Sequence, residues 1–209
     1  MMKFDDFIFS SALLSKLQFL LDNPSKTHNL CFHAYPGTGK TTFAKYLANE
    51  IAHNVNYYDA NAYKADAKTS SSIIQSINKC STTVTRFIQN AEPKQFDTAF
   101  IVDEFHNSSL QNQDSYKILI EEMYKTHNAI FIFILNTEVH DKKATYVKRV
   151  SPAMRSRLYE VDFNIKTHEH DEVCALAKKK FPQLSDSEIR TQVMKNDLRQ
   201  LSMKAKMMS

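Results

Sequence analysis

The sequence predicts an α/β fold in which a five-stranded parallel sheet is flanked by helices and followed by a small C-terminal helical lid. Short apolar runs alternate with helix-length amphipathic segments from about residue 29 to residue 163, which is typical of parallel α/β domains. The runs at 29–34, 99–102 and 129–135 are apolar without strict alternation, as expected of strands buried on both faces. After about residue 165 only helical patterns rich in lysine follow.

The predicted elements can be placed in order along the chain. Leucines at helical spacing predict a helix within the N-terminal segment, 4–22. A strand at 29–34, a loop at 36–40 and a helix over 41–53 follow. The further elements are a strand at 55–58, helices within 69–91, a strand at 99–102, a helix over 112–127, strands at 129–135 and 158–163, and three short helices over 168–209. We expect an α/β domain over 1–165 and a helical lid domain over 166–209.

The composition indicates a globular protein of the cell interior. The chain has 209 residues, of which 43% are hydrophobic and 24% charged, unlike a disordered chain. Its three cysteines are scattered without metal-site spacing, so we expect reduced thiols in the cytoplasm. No apolar run approaches the roughly 20 residues of a membrane span, and we expect no membrane association. The net charge of +4 fits contact with nucleic acid and equally an ordinary lysine-rich surface.

The loop after the first strand carries the strongest chemical signal. The chain has two glycines in all, Gly37 and Gly39, and both lie in a stretch that matches the phosphate-binding pattern GxxxxGK[ST] except at its first position, Ala34. Backbone N–H groups of such a loop cradle phosphates. Lys40 is expected to bridge the β- and γ-phosphates of ATP, and Thr41 to bind Mg²⁺. The predicted ATP-binding residues are Pro36, Gly37, Thr38, Gly39, Lys40, Thr41 and Thr42. The fold class is therefore that of a P-loop NTPase.

An acidic pair ends the third predicted strand. Asp103, at the end of a buried strand beside the phosphate loop, is placed to hold Mg²⁺ directly or through water. Glu104 can polarise the attacking water as a general base or by orienting it. Nucleotide kinases usually do not need this second acid, so the pair favours hydrolysis of ATP.

Three further polar residues have both a functional and an ordinary interpretation. Asn136 follows the fourth strand, where it would position the attacking water or simply cap a turn. Arginines in the segment 151–158 fit stabilisation of phosphoryl-transfer charge in a neighbouring subunit, or a plain charged surface. Arg199, on the last lid helix, would fold over the γ-phosphate or lie on a solvated helix face.

In their order along the chain these motifs resemble those of the AAA+ ATPases, most of all the small subunits of sliding-clamp loaders. The matching stretches are Pro-Gly-Thr-Gly-Lys-Thr-Thr at 36–42, Ile-Val-Asp-Glu at 101–104, Ile-Leu-Asn at 134–136, Pro-Ala-Met-Arg-Ser-Arg at 152–157 and Asp-Leu-Arg at 197–199. The resemblance implies that Asn136 is the first sensor and Arg199 the second. It implies that Arg157 is a finger acting on the ATP of a neighbour, and that adenine lies between the lid and residues 7–9.

The chain departs from that pattern at several points. Leu158 stands in place of the family's cysteine, and Asn196 and Ala34 stand in place of glycines. We also expect the chain to lack the family's helical collar after the lid and its basic-aromatic opening segment. We expect an ATP-hydrolysing AAA+ motor of DNA replication, clamp-loader-like or helicase-loader-like. It would self-associate or join other AAA+ subunits in a hetero-oligomer, contact DNA, and serve a clamp or helicase partner. The compact form suggests a virus- or phage-encoded protein.

Two alternatives stay open at this stage. One is a protein-remodelling AAA+ ATPase, for which Tyr63 is the only candidate aromatic in the pore loop. The other is an ATP-dependent binding switch, although Glu104 and Arg157 favour hydrolysis. The basic residues Lys64, Lys68, Lys79 and Arg86 fit either a DNA-facing surface or an ordinary polar helix. His106 would touch the nucleotide or DNA, or be structural.

Overall fold

The computed structural model of the chain describes residues 3–26, 29–60, 73–79, 94–108, 110–137 and 150–208. Five parallel strands form one sheet in the order β2-β3-β4-β1-β5, so the predicted α/β architecture is confirmed. The strands are β1 (Leu30–Ala34), β2 (Ala52–Asp59), β3 (Phe96–Asp103), β4 (Ala129–Asn136) and β5 (Tyr159–Asp162). The helices are α1 (Ser11–Asp22), α2 (Lys40–Ile51), α3 (73–79), α4 (Leu110–His127), α5 (Pro152–Arg155), α6 (His170–Lys180), α7 (Asp186–Met194) and α8 (Leu198–Met207).

Two strands begin three residues earlier than predicted: β2 at Ala52 instead of residue 55, and β3 at Phe96 instead of residue 99. The predicted helix over 41–53 ends at Ile51, and the strand begins at once with Ala52 instead of at residue 55. Backbone pairing with β3 begins at Ala52 and Phe96, and this long-range contact overrides the helical pattern. Among the described strands, β2 pairs with β3 alone, which explains why it tolerates polar residues. Of the helices predicted within 69–91, the described part, 73–79, is helical.

Two apolar layers cover the sheet. One layer joins α1 and α2 to the sheet, and its centre is Phe43, whose ring lies 6.0 Å from the rings of Phe9, Phe32 and Phe163. The other joins α3, α4 and α5 to the opposite face. Burying a phenylalanine side chain contributes about 1.5–3 kcal/mol. This packing therefore fixes α2, and with it the loop at its amino end, against the sheet.

The three C-terminal helices, α6 to α8, pack around a core of their own. Their attachment to the rest of the molecule includes polar contacts with the start of α1. The Ser10 hydroxyl donates to Glu169 Oε1 at 2.6 Å, and the backbone N–H of Ser11 donates to Glu172 Oε1 at 2.8 Å. The separate core fits the expected lid, and the boundary at 165/166 stays a prediction. None of the helices within the described ranges is long and apolar enough to cross a membrane.

The strand order brings three functional strand ends together. β1 lies beside β4, with Ala34 level with Asn136, and β3 lies on the other side of β4. The strands are parallel, so the loop after β1, the acids that end β3 and the amide that ends β4 meet at one edge of the sheet. Ligands of open α/β sheets bind at this carboxyl edge.

Candidate functional site

Gly37 and Gly39 shape the loop between β1 and α2. Their φ angles are +88° and +92°, in the left-handed region that side chains disfavour. A Cβ atom on Gly37 would also lie 2.2 Å from Oδ1 of Asp197, which precedes α8. The loop therefore needs glycine at position 37 for two reasons, its backbone conformation and the close approach of the lid.

Lys40 begins α2 and turns its side chain back into the loop. Its Nζ donates to the carbonyl oxygens of Ala34 at 3.0 Å and Tyr35 at 2.7 Å, and lies 3.4 Å from Oγ1 of Thr38. Burial lowers the pKa of Lys40 to about 8, against the opposing effect of the carboxylates of Asp103 and Glu104. The lysine is thus a buried cation whose charge is balanced by oxygen atoms at the carboxyl edge of the sheet.

Asp103 organises the hydrogen bonds beside the loop. Its Oδ2 accepts from the Thr41 hydroxyl at 2.9 Å and from the Tyr57 hydroxyl at 2.8 Å, while Oδ1 accepts from the backbone N–H of Glu104 at 2.8 Å. Burial and the bond to Asp103 raise the pKa of Tyr57. Tyr57 was not predicted. The clue in the sequence is its place two residues before Asp59, which puts it on the same face of β2 as Asp59, the residue level with Asp103.

Glu104 lies directly after β3 with φ of 56° and ψ of 31°, an uncommon conformation for a residue with a side chain. The Asn136 amide donates to Glu104 Oε1 at 2.7 Å. Nε2 of His106 lies 3.2 Å from Glu104 Oε2. The predicted acid and the predicted first sensor are therefore in contact, and a histidine that the sequence left ambiguous joins them.

A cavity of about 720 Å³ opens beside these groups, within the usual size range of small-molecule sites. Its walls come from the phosphate loop, the N-terminal segment and the lid. The loop and sheet residues are Pro36, Gly37, Thr38, Gly39, Lys40, Thr41, Thr42, Glu104 and Asn136. Phe7 and Phe9 line it as stacked rings 5.3 Å apart. Arg199 lines it from the lid, and its backbone N–H donates to the Gly37 carbonyl at 3.1 Å.

Arg157 lies elsewhere. It is not among the described residues that line the cavity, because it precedes β5 and so lies at the amino edge of the sheet. Its Nε donates to Glu121 Oε1 at 2.7 Å and its Nη1 to the Ala153 carbonyl at 2.7 Å. The other candidates Tyr63, Lys64, Lys68 and Arg86 lie outside the described residues, and Lys79 is the last residue of α3.

The residues at the carboxyl edge fit a magnesium ion bound together with phosphates. Thr41 and Asp103 offer a hydroxyl and a carboxylate oxygen 2.9 Å apart, and Mg²⁺ is usually held by one or two such protein oxygens, with waters and phosphates completing its shell. Within the described ranges, no three His, Cys, Asp or Glu residues form a metal-binding group. The metal would therefore depend on the phosphates.

The loop, the acidic pair and the cavity under the lid define a P-loop nucleotide-binding protein. Residues 30–165 match the ATPase family associated with various cellular activities (AAA). The chain belongs to this family, whose members are ATPases.

Solved structures share the fold at low sequence identity. A variant of RuvB from Thermotoga maritima is 16% identical, with a TM-score of 0.56. The match covers 95% of this chain and 62% of the RuvB chain. AMPPCP-bound DnaA from Aquifex aeolicus is 16% identical, with a TM-score of 0.62. The match covers 98% of this chain and 63% of the DnaA chain. A DNA replication initiation factor is 17% identical, with a TM-score of 0.52. The match covers 93% of this chain and 59% of that protein's chain. The chain thus spans less than two thirds of these proteins. The curated proteins contain no sequence match.

Proposed function

We propose that the chain is a magnesium-dependent, ATP-hydrolysing motor of DNA replication, of the clamp-loader or helicase-loader kind. One observation carries the proposal of hydrolysis. The Glu104 carboxylate and the Asn136 amide are hydrogen-bonded to each other and line the same cavity as the phosphate loop. A protein that only binds ATP needs the loop but not this pair.

Each residue has a separate task in the proposed reaction. The loop N–H groups and the Lys40 ammonium bind the phosphates. Thr41 and Asp103 would hold Mg²⁺, and the ion would supply positive charge to the phosphates of ATP. Glu104 orients the attacking water and accepts its proton, and Asn136 orients the same water. Arg199 reaches the γ-phosphate from the lid, so lid position and nucleotide state become coupled.

A second subunit completes this site. Arg157 and the cavity lie at opposite edges of one sheet, so Arg157 can serve only the ATP of a neighbour. Its partner Glu121 is exposed, and exposed ion pairs contribute little, about 0–1 kcal/mol. Arg157 can therefore leave Glu121 for a phosphate at small cost. We infer assembly with further copies of the chain or with other AAA+ subunits.

The role in DNA replication rests on two supports. One of the structurally similar proteins is a DNA replication initiation factor. The net charge of +4 fits sequence-independent contact with DNA phosphates. The object that the motor loads would be a clamp or a helicase.

The test is ATP hydrolysis per protomer against protein concentration, with and without primed single-stranded DNA. We expect a rate that rises steeply with concentration, rises again with DNA and is lost in Arg157→Ala. Arg190→Ala is the matched control, because Arg190 is an exposed arginine paired with Asp171 on the lid. A rate independent of both concentration and DNA would contradict the loader and the trans-acting arginine. A protein remodeller or a binding switch would then be the better reading.

A further inference from the structure

We propose that His106 is a positioning residue for hydrolysis. One tautomer of its imidazole ring fixes the positions of Glu104 and Asn136 relative to each other. The inference rests on the proposed function. His106 lies in the short turn Phe105–Asn107 directly after Glu104. Its side chain is 6% exposed, whereas that of Glu104 is 26% exposed. The ring is not among the described residues that line the cavity, so it acts through its neighbours.

The hydrogen bonds of the ring define its tautomer. The backbone N–H of Asn136 points to Nδ1 of His106 at a distance of 3.3 Å. Nδ1 must accept this bond and therefore carries no proton. In a neutral ring the proton is then on Nε2, which lies 3.2 Å from Glu104 Oε2 and donates to it. Nδ2 of Asn107 is placed 3.3 Å from the same Nε2. A proton on Nε2 therefore requires the Asn107 amide to be turned over, so that its oxygen faces the ring; the O and N ends of an amide are assigned from such hydrogen-bond networks.

The consequence is that both oxygens of Glu104 have a fixed donor. Oε1 accepts from the Asn136 amide at 2.7 Å, and Oε2 accepts from His106. Two donors fix the plane of the carboxylate, and each oxygen keeps lone pairs for a water molecule. One imidazole thus ties the acid that activates water to the backbone of the residue that orients it.

This arrangement predicts an effect on turnover rather than on ATP binding. His106 lies behind the acid, and the phosphate loop is built from other residues. Misplacing a reacting group by about 1 Å can reduce the rate about 100-fold. Loss of the His106 donor should therefore lower kcat and leave the KM and the affinity for ATP unchanged.

Two substitutions separate the nitrogen atoms of the ring. His106→Gln places an amide N–H near the position of Nε2 and keeps a donor for Glu104. His106→Asn reaches only the position of Nδ1 and removes that donor. We expect kcat within about 3-fold of the wild type in His106→Gln and about 10- to 100-fold lower in His106→Asn, with the same ATP affinity in both.

The two ways of failing are distinguishable. A wild type that binds ATP without hydrolysing it would overturn the proposed function, and the positioning role with it. A wild type that hydrolyses ATP while His106→Asn keeps full kcat would overturn the inference alone. A His106→Asn variant that loses ATP affinity in parallel with kcat would do the same, since it would indicate a general structural role.

A second measurement does not depend on activity. Long-range ¹H–¹⁵N NMR of the eight histidines distinguishes the two neutral tautomers and the charged ring, and His106 can be assigned as the signal lost in His106→Gln. At neutral pH we expect the Nε2–H tautomer. A proton on Nδ1, in the other tautomer or in the charged ring, would overturn the inference.

Discussion

At the scale of single residues, the site depends on side chains that serve two partners at once. Oδ2 of Asp103 accepts from both Thr41 and Tyr57, and the Lys45 ammonium lies 4.0 Å from the centre of the Tyr57 ring. Tyr57 therefore links the edge strand to the acid proposed to hold magnesium. The arrangement makes the position of Asp103 sensitive to a residue outside the phosphate loop.

Replacing Tyr57 with phenylalanine tests this link. The ring stays and the hydroxyl is lost, so Asp103 loses one donor and the free energy of unfolding should fall by about 1 kcal/mol. Urea unfolding without nucleotide measures the change. Tyr159→Phe is the matched control, because Tyr159 is similarly exposed but lies far from Asp103. Equal stabilities for the two variants would contradict the prediction.

The lowered pKa of Lys40 predicts a dependence of stability on pH. Lys40 titrates near 8 in the folded chain and near 10.5 in the unfolded one. Between these values the unfolded chain binds more protons, so this residue makes the free energy of unfolding rise with pH. Relative to Lys40→Met, which cannot titrate, the wild type should gain up to about 3 kcal/mol between pH 8 and 10.5. Denaturant unfolding across this range measures it, and a constant difference would disprove it.

At the scale of elements, the phosphate loop and the start of α8 fit together through Gly37. The backbone N–H of Arg199 bonds to its carbonyl, and Asp197 occupies the space of a Cβ atom. Because Asp197 also caps α8 by accepting from Gln200, its side chain cannot move without loosening the helix end. The start of the lid helix therefore requires glycine in the loop.

Gly37→Ala should lower both the melting temperature and the affinity for ATP. The new methyl group would strain the backbone and displace Asp197, with a cost of about 1–3 kcal/mol. Asp197→Ser keeps a capping oxygen but is shorter. Combined with Gly37→Ala it should recover part of the lost stability, which a double-mutant cycle measures. Simple additivity of the two changes would show that the clash with Asp197 is unimportant.

The elements also indicate what a sequence can and cannot predict. The loop with Lys40 and the strand that ends at Asp103 are local patterns, and a buried parallel strand is apolar throughout, so both were predicted. The start of β2 at Ala52 depends on pairing with Phe96, more than 40 residues away. The hydrophobic periodicity of the neighbouring residues cannot predict this pairing. His106 was ambiguous because its partner Asn136 is brought near only by the strand order. Such pairings exist only in three dimensions.

At the scale of the whole molecule, the cavity with Glu104 and the proposed trans-acting Arg157 lie at opposite edges of the sheet. The proposed contact between Arg157 of one copy and the cavity of another would join two different surfaces, so the assembly would be head-to-tail and would produce a ring or a helical filament. Each interface would then contain one complete site. Hydrolysis would then require two neighbouring chains.

Mixing two inactive variants tests this arrangement. Glu104→Gln retains Arg157, and Arg157→Ala retains Glu104, so a mixture forms some interfaces that have both groups. We expect each variant alone to be at least about 10-fold slower than the wild type and an equimolar mixture to exceed the mean of the two. ATPase assays at a fixed total concentration measure this. A mixture that equals the mean would place Arg157 outside the site.

The bond between Ser10 and Glu169 has a mechanical consequence. The Ser10 hydroxyl donates to the lid and also accepts from the backbone N–H of Leu13, which caps α1. The far end of the lid touches the loop at Gly37. If the C-terminal helices move as a lid, the first turn of α1 would be their pivot. Swinging the tip of the lid away from the phosphates would apply torque to that turn, so strain produced at the nucleotide would reach the amino-terminal surface of the protein.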